Sequence, residues 1–169
     1  MPTNARAAIP TALVGALIVI LDQIVKVLLA PYLQSQPGWQ VWAIEPIVKL
    51  RLVHNSGFVF GLFSDSAPAW VVSLVVIAAI GAIALVFTRQ IESPSLPTRI
   101  VFGLTFGGAI GNLIDRFRLG YVIDYVDFGW WPVFNIADSA INISIVAFIV
   151  LLLLGRVERP SATPSSFME

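Results

Sequence analysis

Residues 134–155 read FNIADSAINISIVAFIVLLLLG, and this stretch decides which solvent the chain folds in. Its second half is almost wholly apolar, and its length matches the roughly 20 helical residues that span a bilayer core. Its first half nevertheless carries Asn135, Asp138 and Asn142 at spacings of three and four, a polar stripe along one helix face. Asp138 falls about one turn inside the helix, so roughly 5 Å below the membrane surface at 1.5 Å rise per residue. A charge in the membrane core costs at least roughly 2.5 to 3.5 kcal/mol. With no basic partner on its own helix, Asp138 must be met by another segment or hold a proton.

Working outward, residues 7–30, 67–88 and 98–114 form further apolar stretches. The pattern predicts an α-helical membrane protein with four transmembrane helices at 7–30, 67–88, 98–114 and 134–155. Outer segments would occupy 31–66 and 115–133, the membrane-embedded unit would be a single domain over 1–157, and 158–169 would be a disordered tail, as would the first six residues. Gly103, Gly107 and Gly111 recur every four residues, with Gly108 alongside, which suits a packed inner helix. Between the first and second stretches, Val48, Leu50 and Leu52 alternate with Lys49 and Arg51, the period of a half-buried strand. Glu45-Pro46 separates that run from residues 40–44, so two short strands can pair there as a small extracytoplasmic sheet.

Composition agrees with lipid as solvent: 57% of residues are hydrophobic and 12% charged, about half the charged share of soluble domains. A net charge of zero with no basic cluster argues against nucleic-acid partners. The absence of cysteine excludes disulfides, thiolate metal sites and a cysteine nucleophile. His54 alone supports neither a histidine metal cluster nor a His-dependent triad, and no cofactor is implied. Positive charges split evenly between the two sides, but Arg6, Arg89, Arg99, Arg156 and Arg159 sit in tails and a short loop, which favours cytoplasmic termini. Every tryptophan and tyrosine, from Tyr32 to Trp131, falls on the opposite side, where protein mass should rest on the membrane.

The remaining ionisable residues cluster towards that same side. Asp22 and Lys26, four apart, share a helix face and form either a self-neutralising pair or groups that orient a site. Asn112, Asp115 and Arg116 lie where the third helix leaves the membrane, and an amide as deep as Asn112 needs protein partners. Asp124, on the loop before the fourth helix, supplies a second carboxylate that can meet Asp138. Two carboxylates sharing a site hold one proton between them, which suits activation of water and protonation of a peptide leaving group. Proton or ion transport uses the same groups, and helix glue is a further possibility. Asp127 reads as a solvated loop charge, His54 as a loop residue, and Glu45 and Asp65 as surface charges.

The motifs narrow this choice. Asp22-Gln23 with Lys26, then Asn55-Ser56-Gly57, then GGAIGNLIDR over 107–116, then FNIADSAI over 134–141, occur in the order of the bacterial lipoprotein signal peptidase (signal peptidase II) family, which the chain resembles from its first helix to its fourth. The resemblance implies an aspartic endopeptidase that removes the signal peptide of a prolipoprotein just before a diacylglyceryl-modified cysteine. It would lie in the bacterial cytoplasmic (inner) membrane with its site near the outer face. Catalysis would fall to Asp124 and Asp138 without metal or covalent intermediate. Asp22, Lys26, Asn55, Gly57, Asn112, Asp115, Arg116 and Asn135 match polar or small positions around the family's site. Implied partners are lipidated prolipoproteins, membrane lipids and globomycin-type inhibitors. Phe58 and Val59 depart from the small residues common after Asn-Ser-Gly in the family.

Overall fold

In the computed structural model, the residues described are 3–56 and 94–158, together with 71, 74, 75, 77–79, 81–83 and 85. Helix α1 spans Thr3–Gln34, strands β1 and β2 span Gln40–Ile44 and Val48–Asn55, helix α2 spans Leu96–Leu119, strand β3 spans Val122–Asp127, and helix α3 spans Ile136–Leu153. These helices carry the first, third and fourth apolar stretches. Of the expected second span, the described residues are helical and the rest lie outside the described set. Among the described residues, three helices are long and apolar enough to cross a membrane. Exposure is inverted relative to a water-soluble core: Leu13, Leu28 and Leu153 face outward, whereas Asp22, Lys26 and Asp115 are buried.

Helix α2 is the hub. Ser95 caps its start by accepting from the Thr98 N–H, and Gly120, at φ +82°, closes its end in the left-handed conformation that glycine adopts without strain. Its glycines are the contact surface. A Cβ on Gly103 would strike Val14 and the Thr11 carbonyl, and one on Gly107 would strike Gly15 and Ile18. On another face, a Cβ on Gly108 would run into the Ala137 carbonyl oxygen of α3, while one on Gly111, on the α1 side, would crowd the Asp22 carboxylate. Close backbone approach on two faces holds α1 and α3 against α2, the packed inner helix the glycine spacing predicts.

Beyond the helix ends lies a three-stranded antiparallel sheet, in the order β1-β2-β3. The two strands read from the sequence pair as expected, with Val41 opposite Leu50 and Gln40 opposite Arg51. The third corrects the expectation of a sheet built only between the first two spans, because β3 follows α2. It places Asp124 opposite Val53 on a strand, where the sequence reading put it on a loop. The sheet seats on the end of α1 through a buried cluster of Leu33, Leu52 and Tyr125.

Other boundaries move as well. Helix α1 begins at Thr3, within the tail expected to be disordered, and extends past residue 30. Helix α2 runs to Leu119, so Asp115 and Arg116 are helical residues. Asp127 is buried and paired with Arg51 at 2.7 Å, which corrects its reading as a solvated charge. Gly57, Phe58, Val59 and Asp65 lie outside the described residues.

Candidate active site

The first turn of α3 is assembled from both sides. Asn135 caps it by accepting from the Asp138 N–H at 2.9 Å, and the Asp138 carboxylate reaches back to the Asn135 N–H at 3.3 Å. This reciprocal arrangement satisfies two N–H groups that a helix start leaves without partners. A third, the N–H of Ala137, donates to Asp22 Oδ1 at 3.1 Å. Asp22 is fully buried, and a negative charge is favoured at a helix N-terminus. Asp22 thus pairs with Lys26 at 2.8 Å and also fixes the start of α3.

Lys26 Nζ also lies 2.7 Å from Asp115 Oδ2. Asp115 in turn accepts from the Ile123 N–H at 3.1 Å, which ties α2 to the strand that carries Asp124. Gln23, quoted in the sequence motif but left out of the candidate site, links this cluster by donating to Asp115 at 3.0 Å and to the Gly111 carbonyl at 3.2 Å. Its position beside Asp22 is the signal that pointed to it. One lysine between two carboxylates, each with further donors, satisfies the requirement that buried charges be paired and hydrogen-bonded.

The two candidate catalytic carboxylates are joined through two side-chain amides, Asn112 and Asn135. Asn112 donates to Asp138 Oδ1 at 2.7 Å, and Asn135 donates to Asp124 Oδ1 at 2.7 Å. Asn135 also donates to Asn112 Oδ1 at 3.0 Å, closing the bridge between them. From β2, Asn55 donates to Asp124 Oδ2 at 2.9 Å. The depth of Asn112 thus has its explanation: Lys26 Nζ donates to Asn112 Oδ1 at 3.2 Å, which turns the side-chain amide nitrogen towards Asp138. Asp124 and Asp138 both line one cavity of about 290 Å³, with Asn55, Asn112 and Arg116 on its wall. Burial, and then the negative charge of Asp138, push the Asp124 carboxyl up to about 7, against the opposing effects of the Asn55 amide, Lys26 and the Asn135 amide. A pair of this kind carries a proton near neutral pH, as acid–base work on a peptide bond requires.

The other candidates fall at graded distances from this centre. Arg116 reaches the cavity from α2 and donates to the Asn112 carbonyl at 3.3 Å. Asp127 lies at the far end of β3, outside the cavity lining. Burial raises its carboxyl, but the Gly129 N–H and Arg51 outweigh burial and hold it below the usual carboxylate range. His54 stacks on Tyr121, with ring centroids 4.2 Å apart. Among the described residues no three His, Cys, Asp or Glu side chains converge as a metal-holding group.

Residues 14–154 match the family model described as signal peptidase II. The chain is 41% identical over 150 residues to a lipoprotein signal peptidase of Syntrophomonas wolfei, covering 86% of this chain and 95% of the relative. It is 36% identical over 148 residues to that of Rhodococcus jostii, covering 84% and 71%. Among solved structures, a bacterial membrane enzyme at 28% identity superposes with a TM-score of 0.75, covering 85% of this chain and 87% of the other. A second bacterial membrane enzyme, at 26% identity, gives 0.73 with coverage of 85% and 92%.

Proposed function

The chain belongs to the signal peptidase II family, and we propose that Asp124 and Asp138 are the carboxylates with which it cleaves. It is a membrane-embedded peptidase that removes signal peptides from prolipoproteins. The observation that carries the assignment is the convergence of both aspartates on one cavity through a shared amide bridge. The ionised member of the pair takes a proton from water as the water oxygen bonds to the scissile carbonyl carbon. The neutral member gives its proton to the carbonyl oxygen. As the adduct collapses and the C–N bond breaks, the departing amine takes the proton gained from water, and the carboxylate left ionised takes one back from the adduct's hydroxyl, which restores the pair. The amides leave the carboxylates aimed and the charge shared, so little reorganisation is needed as the reaction proceeds.

The substrate of this reading is a prolipoprotein whose cysteine already carries diacylglycerol, cut immediately before that cysteine. Its acyl chains rest in the outer leaflet, so the bond sits near the interface. Asp138 one turn deep in α3 and Asp124 on the sheet above it are at matching depth. Both termini then lie in the cytoplasm of a bacterial inner-membrane protein, and globomycin-type inhibitors occupy the same cavity. Anchoring by the diacyl group aligns the bond by proximity, an effect that substrates without lipid lose. Purified protein in detergent is expected to release the signal peptide from lipidated precursor and to leave unmodified precursor nearly intact. Equal cleavage of both forms would contradict the lipid requirement.

A further inference from the structure

The polar stripe on α3 does not end at Asp138. Asn142 lies one turn deeper on the same face, exposed, on the lining of the cavity that holds Asp124 and Asp138. Val75, Ala79, Ala109 and Ile141 are among the apolar residues that line that cavity. Among the described residues, the buried side-chain polar groups of the helices are satisfied by protein. Ser144, only two residues on, is buried, accepts from Thr105 Oγ1 at 2.8 Å and donates to the Ile141 carbonyl at 2.7 Å. Asn112 and Asn135 are consumed by the carboxylate bridge. Asn142, by contrast, has no hydrogen-bond partner among the described residues. A free amide within the membrane is costly unless something with complementary polar groups arrives to meet it.

What arrives in the reaction is a signal peptide, whose apolar core crosses the membrane as a helix and must open at the cleavage point. The last four carbonyls of any helix lack internal partners, and in lipid no water supplies donors to them. Four helical residues separate Asp138 from Asn142, a rise of about 6 Å. That interval corresponds to about two residues of extended substrate or about four of helical substrate. We infer that the Asn142 side-chain amide donates to a backbone carbonyl of the signal peptide two to four residues before the scissile bond, holding its opened last turn in the cavity below the catalytic pair. The contact is to backbone, so it reads the conformation of the signal peptide and tolerates different side chains. It rests on the assignment of Asp124 and Asp138, because it defines depth relative to them.

The test uses the full-length protein and synthetic diacylated lipopeptides. In one set, the amide at each of the positions two, three and four residues before the cut is replaced in turn by an ester, which weakens the acceptor strength of the carbonyl. Asn142→Leu keeps the side chain's size and removes its donor. Polar bonds between membrane helices are worth up to about 1.7 kcal/mol. The variant is therefore expected to lose about three- to twentyfold in kcat/KM, carried by KM, with kcat and thermal stability close to wild type. One ester position is expected to cost the wild-type enzyme several-fold and the variant nothing further, the non-additivity that marks a direct contact. Asn142→Gln, which keeps the donor on a longer arm, should recover part of the loss. An unchanged kcat/KM in Asn142→Leu, a loss carried by kcat or by unfolding, or an ester penalty equal in both proteins would each overturn the proposal. Wild-type enzyme run beside Asp138→Asn separates this outcome from a failure of the catalytic assignment, which would show as undiminished cleavage by the Asp138 variant.

Discussion

At the scale of single residues, the site is a problem of keeping carboxylates charged or neutral as needed. Both aspartates were legible in the sequence because ionisable groups beside apolar spans stand out and the motifs around them are long. Their partners were legible only as a set. Nothing in the spacing of Asn112 and Lys26 says that one amide oxygen accepts from the lysine while its nitrogen serves Asp138. Asp127 was misread because its partner, Arg51, lies on a strand distant in sequence. The Asp124 carboxyl, raised to about 7, holds its proton below that pH and loses it above. Activity that needs one proton on the pair therefore declines as pH climbs through about 7. The Asn55 amide favours the charged form of Asp124, so removing it in Asn55→Ala raises that pKa and moves the alkaline limb of the kcat/KM profile to higher pH. A limb that stays put or moves down would separate Asn55 from the titration. For Asp127→Asn the expected result is most of the activity kept and about 1 kcal/mol or less of stability lost, because the Arg51 side chain is 43% exposed and solvent screens the pair.

At the scale of elements, helices were easier to read than strands. The apolar runs and the glycine spacing marked α1, α2 and α3, and the alternation around Leu50 marked β2. Strand β3 escaped because Asp124 and Tyr125 are adjacent yet both buried, which breaks the period-two pattern that reveals a half-exposed strand. The buried aspartate, bonded to Asn55 and Asn135, is what hid the strand. Helix ends also ran beyond the apolar residues, since α2 carries Asp115 and Arg116 in its last turns. The glycines make an element-scale prediction. Gly108→Ala drives a methyl into the backbone of α3 at Ala137, next to Asp138, where no side-chain rotation relieves it. Overpacking of this kind costs about 1 to 3 kcal/mol, read as lower thermal stability in detergent together with lost cleavage. Gly15→Ala, whose added carbon would find its nearest neighbour at 3.4 Å, should be far milder. Equal effects would mean that the α2–α3 contact does not position the dyad.

At the scale of the whole molecule, three helices and a sheet bring residues from α1, β2, α2, β3 and α3 to one polar centre at one end of the bundle. The proposed orientation puts that end outside the cell. With no native cysteine to interfere, Ser35→Cys should react with a membrane-impermeant thiol reagent in intact cells, and Arg156→Cys only after lysis. The reverse pattern would put the site in the cytoplasm, away from its substrates. The account as a whole stands on the pair of aspartates, and one measurement tests it most directly: single-turnover cleavage of lipidated prolipoprotein by Asp124→Asn, Asp138→Asn and the double variant, each checked for normal membrane levels. Asparagine keeps the shape of the side chain and removes its charge. Each single variant should therefore accumulate yet lose about 10² to 10⁴ in rate or more, and the double variant should be no worse, because the two act as a unit. Cleavage near the wild-type rate by either single variant would contradict the aspartic mechanism.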